Sequence, residues 1–115
     1  MNTLFRIGTV GPEERGLLIA MYDRFEPLGA AFGLPPLNKE ARLRWIGLAL
    51  DHQLNLAAFL KSGEAVGHCF LVADKTGSAE MAMFVRQEFR SAGVGTALLR
   101  AALERGEQAG LGRAG

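Results

Sequence analysis

Between Leu54 and Val85 three runs of strand-forming residues, Leu54 to Leu60, Ala65 to Ala73 and Ala79 to Val85, are separated by two short polar gaps that each contain a glycine. Gaps of this length suit antiparallel hairpins and are too short for the helical crossover that a parallel pair needs. The segment therefore predicts a three-stranded meander against which every other element has to pack. A chain of 115 residues has room for one core, so residues 1–115 are expected to form a single domain.

Upstream, Leu4 to Val10 reads as a first strand, although its alternation is imperfect. Gly11-Pro12-Glu13-Glu14 then opens a helix, because Pro at the first helical position gives up no needed N–H and acids favour the positive end of the dipole. Leu17, Leu18, Met21, Tyr22 and Phe25 follow as one apolar stripe, and Pro27 marks its end. Gly29 to Pro36 is a loop expected to tuck in Phe32 and Leu34. Asn38 is placed to cap a second helix with Leu43, Ile46, Gly47 and Leu50 on its apolar side and Arg42 and Arg44 off it. Beyond the meander a third helix starts at Val94, with Ala97, Leu98, Ala101 and Ala102 on the same face. The order is β-α-α-β-β-β-α, an α+β arrangement with a mainly antiparallel sheet.

The junction of the last strand and the last helix carries the chemistry. Arg90-Ser91-Ala92-Gly93-Val94-Gly95-Thr96 places unpartnered backbone N–H groups and the positive end of a helix dipole where phosphate oxygens bind. Gly93 and Gly95 have no Cβ, so a diphosphate can approach the main chain. A nucleoside-triphosphate loop would need Lys and then Ser or Thr after its last Gly, and Thr96-Ala97 stands there. A dinucleotide fingerprint would need a third Gly where Leu98 lies, in a βαβ unit rather than after hairpins.

Val85 to Leu99, with Arg90, Gly93 and Gly95 at the spacing Arg/Gln-x-x-Gly-x-Gly/Ala, resembles the acyl-coenzyme A loop of the GNAT N-acetyltransferase superfamily, whose first half has the same order of elements. The resemblance covers the chain in layout and is specific from Glu80 to Leu99. It implies acetyl-coenzyme A as cosubstrate and a primary amine of a small molecule or protein as acceptor. It also implies that pantetheine pairs with the edge of the fourth strand around Phe84 and Val85, and that the amides from Arg90 through Ser91, Ala92, Gly93, Val94 and Gly95 to Thr96 hold the diphosphate. Glu80 matches the fourth-strand Glu taken as general base in one branch of that superfamily. By alternation Glu80 shares a face with Ala82 and Phe84, where partial desolvation would suit a base; the other reading is an exposed strand-end Glu paired with a Lys.

Tyr22, Phe25 and Phe32 are candidates for an acceptor groove, since the first two helices cover that end in the family, while helical spacing also marks Tyr22 and Phe25 as core. Arg90 is expected to meet the coenzyme and Arg86 to be solvated. His68 and Cys69 are adjacent on a strand, so they point to opposite faces and cannot work as a nucleophile and base. The family continues with further strands and a helix, and Leu111 to Gly115 reads as the approach to one of them, so the chain is expected to lack the usual last elements. An exposed edge on the fourth strand then implies a homodimer or other assembly that covers it.

Thirteen basic against twelve acidic residues leave a formal charge of +1, without a basic block for nucleic acid. One cysteine cannot form an intrachain disulfide or a thiolate metal site, no apolar run approaches a membrane span, and no metal is expected. A cytoplasmic setting fits these features. The expected function is N-acetyl transfer; the alternative is a non-catalytic acyl-coenzyme A-binding or assembly module related to the same family.

Overall fold

The structure, a computed structural model, describes residues 4–29, 33–73 and 75–108. β1 (Phe5–Thr9), β2 (Leu54–Leu60), β3 (Ala65–Ala73) and β4 (Ala79–Val85) form one antiparallel sheet in the order β1-β2-β3-β4. The three strands of the meander run over the residues that their turns predict. Where β2 meets β3, Ala58 pairs with Gly67 but Phe59 pairs with Ala65, so Val66 is an extra residue in a bulge. β1 and β4 are the edges of the sheet among the described residues.

α3 (Val94–Gln108) lies across one face, burying Val94, Leu98 and Ala102 against Leu56, Ala58, Val66, Cys69 and Leu71. The approach is close at Gly67, where a Cβ would stand 2.8 Å from Val94 Cγ1 and 3.0 Å from Leu98 Cδ1. Glycine at that position lets the helix lie flat on β3.

The other face is covered by α1 (Arg15–Asp23) and α2 (Lys39–Leu50). Pro12–Glu14 forms a 3₁₀ turn ahead of α1, and Leu18, Met21, Tyr22 and Phe25 are buried, whereas Leu17 is 40% exposed. Asn38 caps α2 by accepting a hydrogen bond from the Ala41 N–H at 2.9 Å. The buried face of α2 is rotated from the expected one: it consists of Arg42, Ile46, Ala49 and Leu50. Arg42 is drawn inward because its guanidinium donates to the Pro36 and Leu37 carbonyls and to Asp23, partners that helical periodicity does not encode. Hydrogen bonds from Lys39 and from the Arg42 guanidinium hold the Asp23 carboxyl below its usual range.

Beneath α1 runs a buried polar chain. The Tyr22 hydroxyl stands 2.6 Å from His68 Nδ1, and His68 Nε2 stands 2.7 Å from Asn55 Oδ1. The Asn55 amide nitrogen donates to the Ala49 and His52 carbonyls, so its oxygen is an acceptor and His68 carries its proton on Nε2. Nδ1 then accepts from the tyrosine. Burial lowers the His68 pKa to about 3 and raises that of Tyr22 well above its ordinary value.

Candidate active site

β4 ends at Val85, and a 3₁₀ turn, Gln87–Phe89, leads to the start of α3. Val85, Arg90, Ser91, Gly93, Gly95 and Thr96 line one cavity of about 460 Å³. That volume is in the range of small-ligand sites, roughly 300–1,000 Å³. Arg90 is its cation, and no carboxylate is among the lining residues. Gly93 has φ +86°, a left-handed conformation that disfavours any side chain, and a Cβ there would meet open space. Gly95 is less demanding, since a Cβ would make ordinary contacts with Met83 Sδ at 3.6 Å and Val85 Cγ2 at 4.0 Å.

Two of the seven loop residues contribute differently from the rest. Val94 is buried under the sheet, and Ala92 packs against the same cluster with its N–H already donated to the Phe89 carbonyl at 3.2 Å. For an anion this leaves the amides at the helix N-terminus, which have no partner inside the helix by its geometry.

The backbone of β4 is oriented by its pairing. The Arg86 N–H donates to the Val66 carbonyl, so by antiparallel alternation Phe84, opposite His68, turns its backbone toward β3 and Val85 turns its own outward. The outward Val85 carbonyl accepts a hydrogen bond from Arg90 Nε at 3.0 Å. The Arg90 guanidinium also donates to the Glu26 carbonyl and lies 5.4 Å from the centre of the Phe25 ring. Gln87, which no local sequence signal singles out, accepts from the Glu26 N–H and donates to the Arg24 carbonyl. Its partners lie 61 and 63 residues away, so no local pattern marks it. Arg86 is not solvated as expected: it is 6% exposed, pairs with Glu64 and Glu88, and lies over the Phe89 ring.

Glu80 stands opposite Val72, is exposed, and its side chain makes no hydrogen bond or ion pair among the described residues. The expected desolvation is absent because β4 is an edge strand and Glu80 is near its start; the expected lysine partner is absent too. Tyr22 at 0% and Phe25 at 4% exposure are core residues, so neither lines an open groove. Phe32 lies outside the described residues. The rings on the same side of β4 as Glu80 are instead Phe84, Phe70 opposite Ala82, and Trp45 against both, with His52 stacked on Phe70. His68 faces α1 while Cys69 faces α3, and burial pushes the Cys69 thiol up to about 12, so the pair is inert as expected.

No group of three His, Cys, Asp or Glu residues is arranged to hold a metal among the described residues, and no described helix is long and apolar enough to cross a membrane.

The acetyltransferase (GNAT) family model matches residues 17–114. Among solved structures, the chain is similar to an acetyltransferase of the GNAT family from Streptococcus pneumoniae, at 20% identity over 96% of this chain and 71% of that one, with a TM-score of 0.70. It is similar to the GNAT domain of S. lividans PAT at 17% identity, 93% and 68% coverage and a TM-score of 0.72. It is also similar to the ribosomal-protein-S18-alanine N-acetyltransferase of Escherichia coli at 14% identity, 94% and 63% coverage and a TM-score of 0.68. At these identities the likeness is one of fold. No curated protein sequence matches the chain.

Proposed function

Because this chain belongs to the acetyltransferase (GNAT) family, we propose that it transfers an acetyl group from acetyl-coenzyme A to a primary amine. The observation that carries the proposal is the cavity at the β4–α3 junction, where a left-handed Gly93, a helix N-terminus and the Arg90 guanidinium meet without a carboxylate. A diphosphate suits that arrangement in charge and size. Pantetheine then extends along the outward edge of β4 from Val85, as an added strand would. Glu80 lies five residues from Val85, about 17 Å at the usual rise of an extended chain. In this reading the far end of the arm brings the thioester near Glu80.

Glu80 takes a proton from the acceptor ammonium directly or through water, and the neutral nitrogen attacks the acetyl carbonyl. The C–S bond breaks, and the second proton shed by the nitrogen goes to the departing thiolate, leaving the amide and the coenzyme thiol. Tyr22 is not the acid for that thiolate, because its hydroxyl is buried on His68. A cytoplasmic setting belongs to the same reading, as does use of the β4 edge as a seam for pantetheine or a second chain.

Release of the coenzyme thiol in the presence of a primary amine tests the proposal. Glu80→Gln is expected to lower turnover by roughly 10²–10⁴ and leave acetyl-coenzyme A affinity nearly unchanged. Equal turnover of both proteins across pH would remove Glu80 from the mechanism.

A further inference from the structure

We infer that the amine acceptor binds on the α1/α2 side of β3 and β4, between the Glu80 carboxylate and an aromatic wall, and that this surface selects amines carried on an aromatic-sized apolar group without a carboxylate. The inference rests on the acetyltransferase reading and adds the class of acceptor to it. Alternation along β4 sets Glu80, Ala82 and Phe84 in one row, and the register places Ala82 opposite Phe70. Around Phe70, the His52 ring is stacked at 5.5 Å with an interplanar angle of 6°, and the Trp45 and Phe84 centroids lie at 6.3 and 6.4 Å. Trp45 meets Phe84 edge-on at 5.2 Å.

Three of these rings, Trp45, Phe84 and His52, are only half-buried, so the wall is not closed into the core. Ala82 is the small residue between the wall and the carboxylate. Glu80 and Phe70 are diagonal neighbours, a relation that puts their Cα atoms about 7–8 Å apart, the reach of a ring with an amine on a short tether. The acceptor arrives as an ammonium, which Glu80, without an ion-pair partner among the described residues, attracts and the ring faces favour. An acceptor that carries its own carboxylate would set it against Glu80, and one without an apolar group would leave the wall uncovered.

Trp45 is the only tryptophan of the chain, so its emission reports directly on this surface. Titration with 2-phenylethylamine in the absence of coenzyme is expected to give a saturable change, with an affinity about tenfold or more above those of ethanolamine and phenylalanine. Ala82→Phe, a strand-compatible change, is expected to keep the melting temperature and weaken 2-phenylethylamine by a similar factor. Equal affinities for the three probes, an unaltered response in Ala82→Phe, or silence of Trp45 up to about 10 mM amine would overturn the inference. Calorimetry with acetyl-coenzyme A separates the two levels. Coenzyme heat with a silent Trp45 defeats the acceptor surface alone, whereas a Trp45 response without coenzyme heat upholds the surface and defeats the enzyme reading.

Discussion

Against α3 the sheet offers Val66, Cys69 and Leu71 to Val94, Leu98 and Ala102, all small or aliphatic. Against α1 and α2 it offers His68, Phe70 and Phe84 to Tyr22, Phe25 and Trp45. The first face works by close approach and has no room even for a Cβ at Gly67. The second works by a single line of buried hydrogen bonds and by rings that meet mostly edge to face. The difference shows how the sheet divides its tasks. A tightly seated α3 fixes the glycine junction at its N-terminus, while the aromatic side leaves half-buried rings beside a carboxylate that has no partner among the described residues.

The largest effect is expected where the hydrogen-bonded face is cut. His68→Leu keeps an apolar side chain of similar bulk but leaves the Tyr22 hydroxyl and the Asn55 oxygen buried without partners. At the usual cost of two such groups, stability measured by urea unfolding should fall by about 4 kcal/mol. A loss below about 1 kcal/mol would mean that the polar chain holds little of that face together.

A smaller effect is expected on the close-packed face. Gly67→Val puts side-chain atoms into Val94 and Leu98, and overpacking of this kind costs about 2 kcal/mol. Because α3 must shift to admit the valine, acetyl-coenzyme A should bind more weakly in the same variant. For stability alone, Gly95→Ala is the control, since its added methyl makes only ordinary packing contacts. Equal losses of stability in the two variants would refute the distinction between the positions.

Acid is expected to weaken the hydrogen-bonded face through His68. Unfolded His68 takes a proton below about pH 6.5, while folded His68 resists until about 3. The unfolded state therefore binds more protons in that window, and stability, full above it, falls as pH falls by about 1.4 kcal/mol per pH unit. Urea unfolding from pH 7 to 4 should show this slope in the wild type and lose His68's share of it in His68→Leu. An identical slope in both would place the titration elsewhere.

The strands and their turns were legible because their signals are local: glycine-bearing gaps, runs of strand-formers and a cap at Asn38. The β4–α3 junction was legible for the same reason, since Arg90, Gly93 and Gly95 lie within six residues. What escaped depends on partners far along the chain. Arg42 is buried by Asp23 and Arg86 by Glu64, and the hydroxyl of Tyr22, a residue whose burial helical spacing does mark, finds its partner in a histidine 46 residues away. A charged or phenolic side chain carries no mark in the sequence of whether such a partner will meet it. Trp45 likewise sits inside a helix whose burial was displaced by Arg42, so the aromatic surface beside Glu80 became visible only in three dimensions.

The central claim, that the β4–α3 cavity holds the diphosphate of acetyl-coenzyme A, is tested most directly by calorimetry on the wild type and on Gly93→Asp. Saturable heat is expected with the wild type, with a gain of about 2.7 kcal/mol in stability at a hundredfold excess over Kd. Neither is expected with Gly93→Asp, which sets a strained residue and a negative charge where phosphate belongs. No heat and no melting shift with the wild type at about 1 mM coenzyme, or equal binding by the two proteins, would contradict it.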